Sequence, residues 1–271
     1  MNRFTGKTAL ITGAAHGIGA ACARRLTNEG ARVAITDIDI TAARATAAEL
    51  NGATAIACDV TDPQQVTTAV EAAAAQLGGI DIVINNVGVA GGITLEELDE
   101  TEWHRQVDPT LHGTIRVTQA AIPHLLTAPG GGAVVSISSV NGLAAIGDIA
   151  YSAAKAALVN MTQNLAVEYS PARTGTIGAA SGWARFNVVA PGTVATRVWD
   201  DKPTNFERLR RAYPLGRVGH PDDIAAAVAF LAGPDASWIT GITLPVDGGL
   251  LAGPAVFIPD IGRRETVTPN E

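Results

Sequence analysis

Thr8-Ala9-Leu10-Ile11-Thr12-Gly13-Ala14-Ala15-His16-Gly17-Ile18-Gly19, running on into the pattern Ala20 to Glu29 and stopped by Gly30, decides the fold. Its first five residues are a short apolar run of the kind found in a strand buried on both faces. Glycines then mark a turn, and the periodicity that follows is helical. Strand, glycine-rich turn and helix in that order make a dinucleotide-binding fingerprint credible, where isolated glycines would not. In such a turn Gly13 permits the tight bend, Gly17 lets backbone approach a pyrophosphate, and Gly19 allows helix and strand to pack closely. The helix N-terminus then faces the anion. Three residues separate the first two glycines, a more particular spacing than the common GxGxxG.

The same alternation continues outward. A second strand, Arg32–Thr36, ends in Asp37. An acidic side chain about 20 residues past the glycine loop suits two ribose hydroxyls and repels a 2′-phosphate. No Arg or Lys lies in the glycine loop or just after Asp37, so the cofactor expected is NAD rather than NADP. A helix over about Thr41–Leu50 leads to a third strand, Ala53–Ala57, and then to Asp59 and Val60, which are positioned to flank an adenine at the strand's C-terminal end. Asp62 before Pro63 reads as a helix N-cap with proline at the first position, the helix running to about Leu77. The fourth strand, Ile80–Ile84, ends in Asn85-Asn86-Val87-Gly88, whose amides need buried partners and suit bracing of strands and ribose. A helix over about Glu102–Leu126 is interrupted by Pro109. The fifth strand, Ala133–Ser138, closes in Ser138-Ser139.

Tyr151-Ser152-Ala153-Ala154-Lys155 then opens a helix reaching about Glu168. Residues four apart share a helix face, so the phenol and the ammonium stand side by side. Lowering a tyrosine from about 10 to about 7.5 takes roughly 3.4 kcal/mol of differential stabilisation. A partly desolvated ammonium supplies much of that, and a cationic nicotinamide adds to it. The product would be a general acid/base for an alcohol or ketone oxygen. A strand-end serine across the crevice would hydrogen-bond that oxygen. Taken alone the pair also fits an ordinary helix; the surrounding motifs favour chemistry. A small-residue loop over 170–184, a sixth strand Arg185–Ala190, a segment from Pro191 to Gly219 read as a substrate lid (about 193–219), a helix from Pro221 or Asp222 to Leu231, and a seventh strand Ile242–Val246 complete the pattern.

Composition sets bounds. The 271 residues are 47% hydrophobic with 29 glycines, enough for one large α/β domain. No apolar run approaches the roughly 20 residues of a membrane helix, and the N-terminus lacks a signal-peptide core. The expectation is a cytoplasmic enzyme without membrane partners. A net charge of −7 with no Lys/Arg cluster argues against nucleic acid. Cys22 and Cys58 form no metal spacing and read as reduced packing residues, so no metal site is expected.

Taken together, Thr12–Gly19, Asp59-Val60, Asn85–Gly88, Ser138-Ser139, Tyr151-x-x-x-Lys155, Pro191-Gly192 and Asp247-Gly248-Gly249 resemble the short-chain dehydrogenase/reductase family from about Lys7 to Gly249. The resemblance implies a single Rossmann-type domain over 1–249, a doubly wound, seven-stranded parallel sheet in the order 3-2-1-4-5-6-7, with 250–271 as a C-terminal extension. It implies hydride transfer between NAD and a secondary alcohol or ketone, a small-molecule substrate, and a homotetramer or dimer. By the same resemblance Tyr151 is the acid/base, Lys155 binds the nicotinamide ribose and depresses the Tyr151 pKa, and a serine orients the substrate. Gly13, His16, Gly17, Ile18, Gly19, Asp37, Asp59, Val60, Asn86, Gly88, Pro191, Gly192, Val194 and Thr196 contact the cofactor. Two departures stand out. Thr110-Leu111-His112-Gly113 replaces an Asn-Leu-x-Gly pattern, so Thr110 is the candidate to hold the water of a proton relay, through its hydroxyl or a carbonyl. Counting back from Tyr151 by the usual spacing reaches Ser138, whereas the Ser-Ser-x-x-Gly pattern selects Ser139; we take Ser139, on strand alternation. An apolar cluster at Ala255–Ile258 is expected to cover a substrate pocket or a neighbouring subunit. A 3-oxoacyl thioester reductase and a non-catalytic NAD-binding protein are the alternatives.

Overall fold

The structure, a computed structural model, describes residues 2–173, 182–197, 209 and 211–253. Residues 198–208 and 210 of the 193–219 segment, much of the 170–184 loop and the Ala255–Ile258 cluster lie outside the described residues.

Seven parallel strands form one sheet in the order β3-β2-β1-β4-β5-β6-β7. They are β1 Thr8–Thr12, β2 Arg32–Asp37, β3 Thr54–Ala57, β4 Ile82–Asn85, β5 Gly132–Ile137, β6 Ala184–Pro191 and β7 Thr243–Val246. β1, β5 and β6 are buried at every position, so their sequences are mostly apolar rather than alternating; β6 also buries Arg185 and Asn187, which bond backbone carbonyls between Leu231 and Ile239. Helices α1 (Gly17–Asn28), α2 (Ile40–Ala48) and α7 (Pro221–Ala232) cover one face with a core that includes Phe4, Leu26, Ala43 and Val228. Helices α3 (Pro63–Leu77), α5 (Gly113–Leu125) and α6 (Ile149–Glu168) cover the other with Val70, Val117 and Ala166. Asp62 caps α3 by accepting the Gln64 and Gln65 amides ahead of Pro63.

Pro109 acts differently from a simple break. Helix α4 (Glu100–Val107) passes into a π-helical turn, Asp108–His112, and then into α5. Proline has no N–H to give the preceding turn and its ring crowds it, so the backbone widens and carries on. Among the described residues no helix is long and apolar enough to cross a membrane. Nor does any group of three His, Cys, Asp or Glu there make a metal site. Both cysteines are free and buried, and burial pushes the thiols up to about 12 at Cys22 and about 11 at Cys58.

Candidate active site

The sheet order reverses direction between β1 and β4, and the crevice above their C-terminal ends is where ligands bind in such sheets. Three glycines shape its floor. Gly13 and Gly17 have φ of +58° and +56°, a region costly for other residues. A Cβ on Gly19 would fall 2.5 Å from the Gly13 carbonyl oxygen and 2.7 Å from the Asn86 amide nitrogen. Asn86 is therefore part of the turn: its side-chain amide donates to the carbonyls of Thr12 (3.1 Å) and Gly13 (2.8 Å). Helix α1 starts here with an exposed His16 at the N-cap and no side-chain cap, leaving first-turn amides available to an anion. Ile18 is half-buried and packs against the core beneath.

A cleft of about 400 Å³ opens from this turn, lined among others by Gly13, Asp37, Asp59, Val60, Asn86 and Gly88. The Asp37 carboxylate accepts the amides of Ala15 and Asp39, both at 3.0 Å, which fixes it at the cleft wall. Asp59 spends one oxygen on the Thr61 amide and hydroxyl, at 2.9 and 2.7 Å. The segment after β6 folds back across the glycine turn: a Cβ on Gly17 would meet Thr196 at 3.4 Å, and the buried Val194 bridges to Gly219. Pro191 ends β6 in the core, and Gly192 packs against Tyr213, whose hydroxyl accepts the Thr193 amide at 2.7 Å. The fit to a dinucleotide thus rests on the cradle itself. Gly13 and Gly17 take left-handed backbone that disfavours side chains, Gly19 has no room for one, and the cleft that opens from this turn reaches the Asp37 carboxylate.

At the other end of the crevice lie Tyr151 and Lys155. Both point to one side of α6, with the Lys155 Nζ 5.4 Å from the Tyr151 ring centroid. Lys155 is 1% exposed, and its Nζ donates to the Ile137 carbonyl at 2.6 Å. Gly88 meets the pair from β4: a Cβ there would sit 2.8 Å from Nζ and 3.7 Å from the Tyr151 ring. The two serines divide as strand alternation requires. Ser138 is buried and donates to the Lys155 carbonyl at 2.7 Å, tying β5 to α6. The Ser139 hydroxyl donates to Asn141 Oδ1 at 3.1 Å and favours ionisation of the Tyr151 phenol. Thr110 is fully buried in the π-turn. Its hydroxyl accepts the Val89 amide at 3.0 Å and its carbonyl accepts the Thr114 hydroxyl at 2.9 Å, so both oxygens proposed for a water already carry protein donors.

Burial dominates the electrostatics of the cofactor-free pair. Burial pushes the Tyr151 phenol up to about 12, with the Asp148 charge adding to the rise and Ser139 opposing it. Burial also takes the Lys155 ammonium down to about 7. A dry site disfavours the charged form of each partner, so the phenol is not held near neutrality by Lys155 alone. Sequence reasoning also missed Asn141, Tyr213 and Asp148. Asp148 had a signal, an acid at the mouth of a helix, but that signal reads as an ordinary N-cap, and its side chain caps nothing on α6.

The family model described as Enoyl-(Acyl carrier protein) reductase matches residues 13–251. A D-threitol dehydrogenase of Mycolicibacterium smegmatis is 39% identical over 256 residues, covering 91% of this chain and 94% of that protein. A solved short-chain type dehydrogenase/reductase from Mycobacterium marinum superposes with a TM-score of 0.84 at 31% identity, covering 93% and 98% of the two chains. A 3-ketoacyl-(acyl-carrier-protein) reductase from Brucella melitensis, solved with NADH, gives 0.81 at 34% identity over 91% and 99%. With the sheet order and the crevice already in place, these matches show that the chain belongs to the short-chain dehydrogenase/reductase family of oxidoreductases.

Proposed function

We propose that the protein is an NAD-dependent dehydrogenase/ketoreductase that interconverts a secondary alcohol and a ketone. The observation that carries this reading is the cluster of Tyr151, Lys155, Ser139 and Gly88 at one end of a crevice whose other end is a glycine turn and a fixed carboxylate. A bound nicotinamide supplies the hydride acceptor or donor. Gly13, Gly17, Asp37, Asn86, Lys155 and Thr196 would hold the dinucleotide, and His16, Ile18, Gly19, Asp59, Val60, Pro191, Gly192 and Val194 shape its surroundings. Tyr151 takes the alcohol proton in one direction and gives it to the carbonyl oxygen in the other. Ser139 holds that oxygen in line, and Thr110 supports the loop over the pair.

Asp37 supports NAD over NADP: its carboxylate is fixed at the cleft wall by the Ala15 and Asp39 amides, and an acid after the second strand repels a 2′-phosphate. The connection from β5 to α6 supports a small, fairly apolar substrate: Leu143, Ile146 and Ile149 are 39%, 46% and 46% exposed between Ser139 and Tyr151. The family resemblance supports a homotetramer.

Absorbance at 340 nm, followed with both cofactors over a panel of apolar secondary alcohols, ketones and vicinal diols, tests the reading; the diols are included because one relative is named for D-threitol. We expect turnover with NAD, and its loss in Tyr151→Phe with NAD binding nearly unchanged. Retention of more than a few per cent of activity in that variant would remove Tyr151 from the role. Asp37→Ala is expected to narrow the NAD/NADP ratio; an unchanged ratio would assign the preference to another group. A second reading, reduction of a 3-oxoacyl thioester, is favoured by the acyl-carrier names among the matches. Adding such a thioester to the panel separates the two.

A further inference from the structure

Among the described residues, Asp148 is the one non-glycine with positive φ, at +58°. It stands at the N-cap of α6, three residues before Tyr151, and follows Gly147 at φ +111°. A residue at a helix start normally turns its carboxylate back to its own first-turn amides. Asp148 does not: Oδ2 accepts the amides of Gly91 (2.9 Å) and Gly92 (3.1 Å) from the loop after β4. Its other oxygen, Oδ1, is buried with no partner. A strained backbone and an unmatched buried acceptor persist only where the surrounding contacts over-determine them.

The loop it holds is the one that roofs the reacting pair. Gly88 presses on Lys155, Val89 donates to Thr110, and Gly91 lies flush on α4, where a Cβ would fall 2.0 Å from the Gln106 amide nitrogen and 2.4 Å from Glu102 Oε1. Two anchors therefore fix the loop, Thr110 at its root and Asp148 at its tip. We infer that Asp148 is a positioning residue: its carboxylate latches the 89–92 loop to the start of α6 and so sets the substrate mouth in front of Tyr151. The inference rests on the dehydrogenase reading for its consequence but not for the latch itself.

The latch also carries charge. The ionisable groups facing it are Tyr151 on α6 and, on α4, Arg105, which is paired in turn with Glu102. The negative charge beside Tyr151 raises the phenol, so removing the charge while keeping the acceptor eases ionisation.

Two variants of the full chain separate these effects. Asp148→Gly keeps the backbone free to adopt positive φ but removes the acceptor. Amide exchange at Gly91 and Gly92, measured without cofactor, is expected to quicken about tenfold or more as two charge-assisted bonds are lost. The alcohol KM is expected to rise about fivefold or more with kcat less affected, as for lost ground-state positioning. Asp148→Asn keeps an acceptor and tolerates the conformation. Its exchange and KM should stay within about twofold of the parent, while the acid limb of the oxidation pH profile moves to lower pH. Unchanged exchange in Asp148→Gly would overturn the latch, and faster exchange with unchanged KM would overturn its role at the mouth. A parent chain without dehydrogenase activity would overturn the functional reading instead, leaving the exchange result to judge the latch.

Discussion

At the residue scale the role proposed for Tyr151 sets a problem: a phenol at about 12 would have to become a base near neutrality. Closing a gap from about 12 to about 7.5 takes on the order of 6 kcal/mol. A full positive charge at the 5.4 Å separation of Lys155 and Tyr151 supplies about 3 kcal/mol at an effective dielectric of about 20. Lys155 holds that charge only in part at neutral pH, because its own burial lowers it to about 7. On the proposed function a second positive charge would come from the oxidised nicotinamide. The expected outcome is that ultraviolet difference titration of the free protein shows no Tyr151 ionisation below pH ~10, while saturating oxidised NAD lowers its midpoint by roughly 2 pH units. Tyr151→Phe identifies the signal against Tyr169 and Tyr213. A midpoint near neutrality in the free protein would mean that Lys155 suffices. The spacing of Tyr151 and Lys155 was legible in the sequence because helical geometry is local. Their burial was not, because it is imposed by Ile137 at the end of β5 and Gly88 in the loop after β4.

Among the elements, those with a strong period were readable and the irregular ones were not. β1 and β5 are mostly apolar because both faces are covered, and the cap and proline of α3 announce its start. The glycine turn between β1 and α1 was legible, though its bond to Asn86 depends on β4 packing beside β1. Pro109 signalled an interruption, but a missing N–H does not tell whether the chain kinks, stops or widens. The π-turn is the outcome here, and it buries Thr110 under the β4 loop. Thr110→Val tests that arrangement. The shape is kept, but the Val89 amide loses its acceptor, which should cost about 1–3 kcal/mol. Denaturant unfolding should show the loss in midpoint at unchanged slope, with Thr110→Ser close to the parent. A cost below about 0.5 kcal/mol would place Thr110 among ordinary positions and detach the loop root from the turn.

For the whole molecule, the family resemblance implied one doubly wound sheet in the order 3-2-1-4-5-6-7, and that is the order found: β1 to β3 wind outward one way, the chain crosses from β3 back to the other side of β1, and β4 to β7 wind outward from there. What a linear reading does not price is the cost of placing an ionisable group in the middle of such a fold. Lys155 is 1% exposed, with a folded pKa near 7 against 10.5 for an ordinary lysine. Between those values the unfolded chain binds the proton and the folded chain does not, so stability rises with pH across that window, by up to about 1.4 kcal/mol per pH unit. Below pH 7 both states are protonated and the full penalty of the buried charge remains. Tyr151 acts in the opposite sense: between 10 and about 12 the unfolded phenol ionises and the folded one does not, so stability falls again above pH 10. Asp223, held down to about 2 by Arg217, adds a loss as the pH drops below the usual carboxylate range. The expected curve therefore climbs from pH 6 to 9 in denaturant unfolding of the cofactor-free chain. Lys155→Met removes the titrating group at similar length, so the climb should flatten and the variant should gain most at pH 6. Parallel curves for the two proteins would mean that Lys155 keeps its proton in the fold. Its burial would then be offset by a partner for Nζ other than the Ile137 carbonyl.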